Sequence, residues 1–398
     1  MPRVRKIAIV LAAALAIAAI VGASLATAKS ARKSAVPSGT FKIGYVESIT
    51  GRLAFYEPPW GDGVKTAIDL LNAKGGIDGK LKLQLIAEDG KSDPATGAVV
   101  ARDLVGKGVQ FGITPCDQDI GVPAAQVFQR AKIPVVMSCG SGWTFPQVVG
   151  DYAFINVFGT AAMGAAQAEF AIKKGWKRAC DLSSNDYFYG KNTSDVFEAR
   201  YKQLGGKIVC HVFYKLTQTD FRSVDTEIAS AKPQVVVTTL VLPGATVMLK
   251  QLRAQGYKGP MLMSDAGELI TGAGAAVRTG NVYFTTQACP TNPPTAAFYR
   301  AYKKKTGKTA SLNHIATGGD LVNLIAAAIK KAGSTNGTAI RDAFASLKNV
   351  AGPSGITSYA GSPLFHVPKK NIYVLVYNKT SGARCVDAFY PKVVPKIK

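Results

Sequence analysis

The sequence predicts an α/β protein of two doubly wound parallel-sheet lobes joined by a multi-strand hinge. Three observations carry this. Strand-length apolar runs alternate with amphipathic helical stretches along most of the chain, the pattern of βαβ units on a parallel sheet. The alternation reaches a connecting strand at 152–157 and then restarts. After Pro290 the chain turns helical and finally ends in two more strands. It therefore crosses between lobes about three times, which favours a hinged cleft over independently tumbling domains.

The first unit spans 41–89. Ile43, Tyr45 and Val46 form an apolar run that leads into Thr50-Gly51 and an aromatic loop. A helix is expected over 61–73, a Gly75-Gly76 break, and a strand from 81 to 86. The loop after the first strand of such a unit faces the ligand, because open α/β sheets bind at the carboxyl ends of their strands. Helices at 93–106 and 122–131 and strands at 109–113 and 133–137 complete the first series. In the second series, helices fall at 161–174, 191–204, 220–231 and 243–255. Strands fall at 178–182, 207–213, 234–240, 261–263 and 281–286. Helices at 295–305, 318–331 and 338–347 return to the first lobe, and strands at 371–377 and 386–390 form a late hairpin. The expected division is 40–157 and 288–365 for the first lobe, 158–287 and 366–398 for the second.

The N-terminus reads as an export signal. Arg3, Arg5 and Lys6 precede an apolar run from 7 to 21, and Ala26-Thr27-Ala28 is a small-residue cleavage pattern. Residues 1–28 would be removed, placing the protein in the periplasm or outside the cell. The competing reading is an uncleaved anchor, since 7–28 carries no charge. The apolar fraction of 47% fits a globular chain. The net charge of +23 is compatible with nucleic acid, an anionic surface or anionic solutes. The lysines are scattered and no nucleic-acid motif is present, so a solvated basic surface is the simpler reading.

An oxidising compartment permits disulfides among the six cysteines. Strand order suggests the pairs Cys116–Cys139, Cys180–Cys210 and Cys289–Cys385, against the alternative of buried free thiols.

FKIGYVESITGRLAFY at 41–56, NAKGGIDGK at 72–80, LIAEDGKSDP at 85–94 and Thr219-Asp220-Phe221 together resemble the type I periplasmic solute-binding proteins. The leucine/isoleucine/valine-binding branch of ABC importers is the nearest in pattern, and the similarity covers nearly the whole mature chain. The resemblance implies two lobes closing on a small amino-acid-like solute and delivery to a membrane permease by a monomer without cofactor, metal or nucleic acid. It also leaves amides, urea and aromatic acids open as solutes.

By the same resemblance, two first-lobe loops offer hydroxyl and N–H groups to a solute carboxylate. Gln118 and Gly142 stand at the hydroxyl positions, and Gly140, Ser141 and Gly142 can present N–H groups. Asp117 and Asp119 would repel a carboxylate unless turned away or neutralised. Asp265 matches the acidic residue that takes an ammonium; a turn or cap is its structural alternative. Tyr56 and Tyr189 match tyrosines that cover the solute, or else are satisfied interface tyrosines. Trp143 and, less directly, Trp60 are candidate aromatic walls or core residues. Leu242, with Val241, replaces an aromatic pair.

Two other functional classes stand beside this one. Catalysis lacks support: His211, His314 and His366 are scattered, and neither a Gly-x-Ser-x-Gly elbow nor a P-loop occurs. A membrane-bound sensor would need a second membrane segment and an output domain, neither of which the sequence carries. A soluble ligand sensor stays open as an alternative.

Overall fold

The computed structural model describes residues 36–396. The predicted export segment lies outside the described residues. Among the described residues, no helix is long and apolar enough to cross a membrane.

The first sheet contains β1 (Gly39–Glu47), β2 (Leu81–Asp89), β3 (Phe111–Thr114), β4 (Val135–Met137) and β5 (Ala153–Ile155) in the order β2-β1-β3-β4-β5. Every pairing in it is parallel. Helices α1 (Glu57–Ala73), α2 (Pro94–Gly106), α3 (Gln118–Arg130) and α4 (Phe145–Val149) connect its strands. Strand order reverses between β1 and β3, so their outgoing loops part there and leave a crevice at the carboxyl ends.

α1 starts earlier than the sequence pattern suggested. Pro58 and Pro59 occupy its first turn, where a missing N–H costs nothing and the fixed φ suits a helix. α3 likewise starts at Gln118, with the Asp117 carboxylate accepting the Asp119 N–H as a cap.

In the second sheet, α5 (Thr160–Lys173) leads to β6 (Arg178–Ser183), and α6 (Phe188–Gln203) to β7 (Lys207–Phe213). α7 (Arg222–Ala231) leads to β8 (Val235–Thr238), and α8 (Gly244–Ala254) to β9 (Met261–Met263). A 3-10 stretch, Asp265–Ala276, precedes β10 (Val282–Thr286). Three helices then return over the first sheet: α9 (Pro293–Thr306), α10 (Leu312–Ala332) and α11 (Gly337–Ala345). A small hairpin follows, β11 (Val350–Gly352) with β12 (Gly355–Thr357). Finally β13 (Ile372–Tyr377) and β14 (Ala383–Phe389) rejoin the second sheet, whose order is β14-β13-β10-β9-β8-β6-β7. β13 and β14 pair antiparallel as the expected late hairpin, and β13 joins β10 antiparallel, so an otherwise parallel sheet becomes mixed at this edge. Its strand order reverses between β6 and β8.

Packing explains the return of the late helices. Phe41, Ile43, Tyr45 and Phe111 of the first sheet share one core with Trp60 and Val64 of α1 and Leu321, Leu324 and Ile325 of α10. Each large side chain so buried is worth about 1.5–3 kcal/mol relative to exposure. Without α10, that face would be left wet.

Cys180 is bonded to Cys210, joining β6 to β7, and Cys289 to Cys385, joining the second crossing to β14. Cys116 and Cys139 are free thiols, which corrects the suggested third pair. Both are engaged locally: the Cys116 N–H donates to Glu57 and the Ser138 hydroxyl lies against Cys139 Sγ.

Candidate functional site

A cleft opens where the carboxyl ends of both sheets face each other. It encloses about 720 Å³, counting the part open to solvent, within the usual range for small-molecule sites. The first lobe contributes Arg52, Leu53 and Tyr56 after β1, Cys116 to Gln118 after β3, and Cys139 to Gly142 after β4. The second contributes Tyr187, Phe188 and Tyr189 after β6, Val241 after β8, and Asp265 and Ala266 after β9. Asn313 and His314, from the first turn of α10, close one side.

Glu57 organises the first-lobe wall. It is wholly buried, and its two oxygens accept from Tyr45 Oη at 2.5 Å, Cys116 N at 2.5 Å and Ser138 Oγ at 2.7 Å. One carboxylate thus fixes the loops after β3 and β4 to the start of α1. Burial nevertheless pushes its pKa up to about 7, with the hydrogen bonds opposing. Gly140 is required here: a Cβ would run into the Cys116 carbonyl. The N–H groups of Gly140, Ser141 and Gly142 have no hydrogen-bond partner among the described residues. The Ser141 hydroxyl, on a side chain 2% exposed, also has none.

The two aspartates of the α3 start are accounted for. Asp117 pairs with Arg52 at 2.6 Å, and Asp119 accepts the Phe188 N–H across the cleft at 3.3 Å. Asp117 is thereby charge-paired, and Asp119 stands outside the cavity lining.

The second lobe presents a buried acid. Asp265 is 8% exposed and accepts from Tyr189 Oη at 2.5 Å. Burial raises its pKa to about 6, with that hydrogen bond opposing. Tyr187 Oη donates to the Thr239 carbonyl at 3.0 Å, which leaves its ring as wall. The lobes touch at the rim, where the Leu242 N–H donates to Tyr56 Oη at 3.1 Å.

Of the residues singled out from the sequence, Tyr56, Gln118, Gly140, Ser141, Gly142, Tyr189 and Asp265 line one cavity. Trp143 does not. It packs into the hydrophobic clusters beside the first crossing, close against Gly159. Leu242 meets the cleft through its backbone N–H, while its side chain packs on the second-lobe core. Trp60 is core. Sequence reasoning missed Arg52, Glu57, Asn313 and His314. Arg52 carried a signal, following Thr50-Gly51 in the loop after β1.

The family described as periplasmic binding protein matches residues 40–383. The Leu/Ile/Val-binding protein BraC3 of Rhizobium johnstonii is 28% identical, over 75% of this chain and 83% of that protein. The branched-chain amino acid transporter substrate-binding protein LivJ of Streptococcus pneumoniae, solved with isoleucine, is 27% identical. It superposes with a TM-score of 0.77, covering 87% of this chain and 99% of its own. An ABC transporter solute-binding protein of R. palustris, solved with 4-hydroxybenzoate, shares the fold at a TM-score of 0.77 and 19% identity, over 89% and 98% of the two chains. The chain belongs to the type I periplasmic binding protein family, a solute-binding and not an enzymatic family.

Proposed function

We propose that the protein is the extracytoplasmic capture component of an ABC importer, closing on a small amino-acid-like solute and handing it to a membrane permease. One observation carries the choice of solute: the cleft is polarised. Free N–H groups at 140–142 and the unpartnered Ser141 hydroxyl sit on one lobe, and the buried Asp265 carboxylate sits on the other. Such a pair of walls suits a zwitterion, whose carboxylate takes N–H donors and whose ammonium takes a charge-assisted bond. Both ends are held only when the lobes are together, so the solute shifts the population toward the closed form. The BraC3 and LivJ likeness supports a branched-chain side chain. We assign 40–157 with 288–365 to one lobe and 158–287 with 366–398 to the other, acting as a monomer.

A second solute class is favoured by a specific feature. Tyr56, Tyr187, Phe188 and Tyr189 surround the space, and Arg52 stands at its edge, which would suit an aromatic carboxylate. Calorimetry with the wild type and Asp265→Asn decides between them. An amino acid loses at least about tenfold in affinity on losing the charge that pairs its ammonium. A benzoate, with no amine, keeps or gains affinity. Unchanged amino acid binding by Asp265→Asn would refute the zwitterion assignment.

A further inference from the structure

We propose that the captured solute presents a hydroxyl to Nε2 of His314, and that this bare acceptor selects hydroxylated solutes over purely aliphatic ones. The proposal deepens the reading of the cleft as the solute site and rests on it.

His314 lines the cavity from the first turn of α10 and is 5% exposed. Its Nδ1 lies 2.6 Å from Ser311 Oγ, the residue that caps the helix. A serine hydroxyl has one proton to give. That proton goes to Glu268, whose Oε1 is 3.0 Å from Ser311 Oγ. Glu268 is an acceptor on both oxygens: Oε1 also takes the Asn313 N–H at 3.2 Å, and Oε2 takes the Thr286 hydroxyl at 3.5 Å. Burial raises the Glu268 pKa against the hydrogen bonds from Asn313 and Ser311; while Glu268 is ionised, Ser311 Oγ gives its proton there and accepts from the histidine. It then takes the His314 backbone N–H at 3.3 Å and Nδ1–H at 2.6 Å. The imidazole is kept neutral by burial, which lowers its pKa to about 4. With the proton on Nδ1, Nε2 is a lone pair, and no donor among the described residues reaches it.

Its neighbour has the opposite polarity. The Asn313 carboxamide oxygen accepts the Gln287 N–H at 3.2 Å, so the NH₂ end is left as donor. A hydroxyl can give a proton to one of these groups and take one from the other. An aliphatic side chain does neither and would cover the acceptor without pairing it, which is costly.

The test uses three pairs differing by one hydroxyl: L-valine and L-threonine, L-phenylalanine and L-tyrosine, benzoate and 4-hydroxybenzoate. In whichever pair binds by calorimetry, the hydroxylated member is expected to bind at least about tenfold tighter. His314→Leu should erase that preference. Equal or tighter binding of the unhydroxylated member, or a ratio that His314→Leu does not move, overturns the proposal. If only benzoates bind, the amino acid reading fails while the same ratio still decides this one. Should the variant not fold, or no pair bind, the imidazole ¹⁵N spectrum of the wild type decides. A proton on Nε2 overturns the assignment, and a bare Nε2 with protonated Nδ1 sustains it.

Discussion

Asp265 sets how binding should respond to acidity. Its carboxyl is held up to about 6 in the unliganded cleft by burial. An ammonium favours the ionised form, so the pKa falls on binding. At pH 8 the acid is already charged and nothing is lost. Below about 6 the free protein takes up a proton that the complex must release, and affinity for an amine-bearing solute drops by up to about tenfold per pH unit. Glu57, at about 7, lies under the same cleft, so the profile should be read against Asp265→Asn, in which the step near 6 disappears. A wild-type profile that is flat between pH 8 and 5 would remove the charge–ammonium pairing. The thiols allow a second check at this scale. Denatured without reductant, the chain should release two thiols to alkylation, Cys116 and Cys139, mapped by peptide masses. None released would mean that these two are joined in the mature protein.

The third crossing between lobes, 358–371, ends on an ion pair placed in the core. Lys370 Nζ lies 2.8 Å from Asp320 Oδ2 on α10, and the two side chains are 2% and 1% exposed. Ser354 completes the set, donating its N–H to Asp320 at 2.9 Å and accepting from Lys370 at 2.8 Å. Removing one partner strands the other charge away from water. Lys370→Met should therefore destabilise by about 3–5 kcal/mol, and Asp320→Asn with Lys370→Met should recover part of it, both read by denaturant unfolding. A loss under ~1 kcal/mol for Lys370→Met would show water reaching the pair. No local pattern announced this contact, and the same holds across the site. The βαβ alternation and the strand-end loops were legible because they repeat at short range, and they located Tyr56, Gly140 to Gly142, Tyr189 and Asp265. What was illegible depends on partners far along the chain. Glu57 was hidden in a proline-rich stretch taken for loop, and its partners lie 59 and 81 residues away. His314 was hidden because α10 starts at Leu312, ahead of the expected 318. Trp143 looked like a wall residue because composition does not say that its side of the loop is already occupied by Gly159, the N-cap of α5.

The proposed closure would be a property of the two lobes together, and the rim contacts allow its energy to be tested apart from the solute. The Leu242 N–H to Tyr56 Oη bond exists only when the lobes meet. Tyr56→Phe removes its acceptor but keeps the ring against the cavity. A hydrogen bond of this kind is worth about 0.5–1.5 kcal/mol net, so the closed state should become roughly two- to twelvefold less favoured. A solute that binds by selecting the closed form then loses that same factor in apparent affinity, whatever its side chain. Small-angle scattering should show the variant reaching the same compact dimensions as the wild type, only at higher solute concentration. The Asp119–Phe188 contact is a second, separate strap, and Asp119→Ala should act the same way. Both changes feed one equilibrium, so their costs should add within a few tenths of a kcal/mol. A loss by Tyr56→Phe that varies from solute to solute would place the hydroxyl against the ligand, and the closing energy would then reside in the Asp119–Phe188 and Glu268–Ser311 contacts, the crossings and the solute itself.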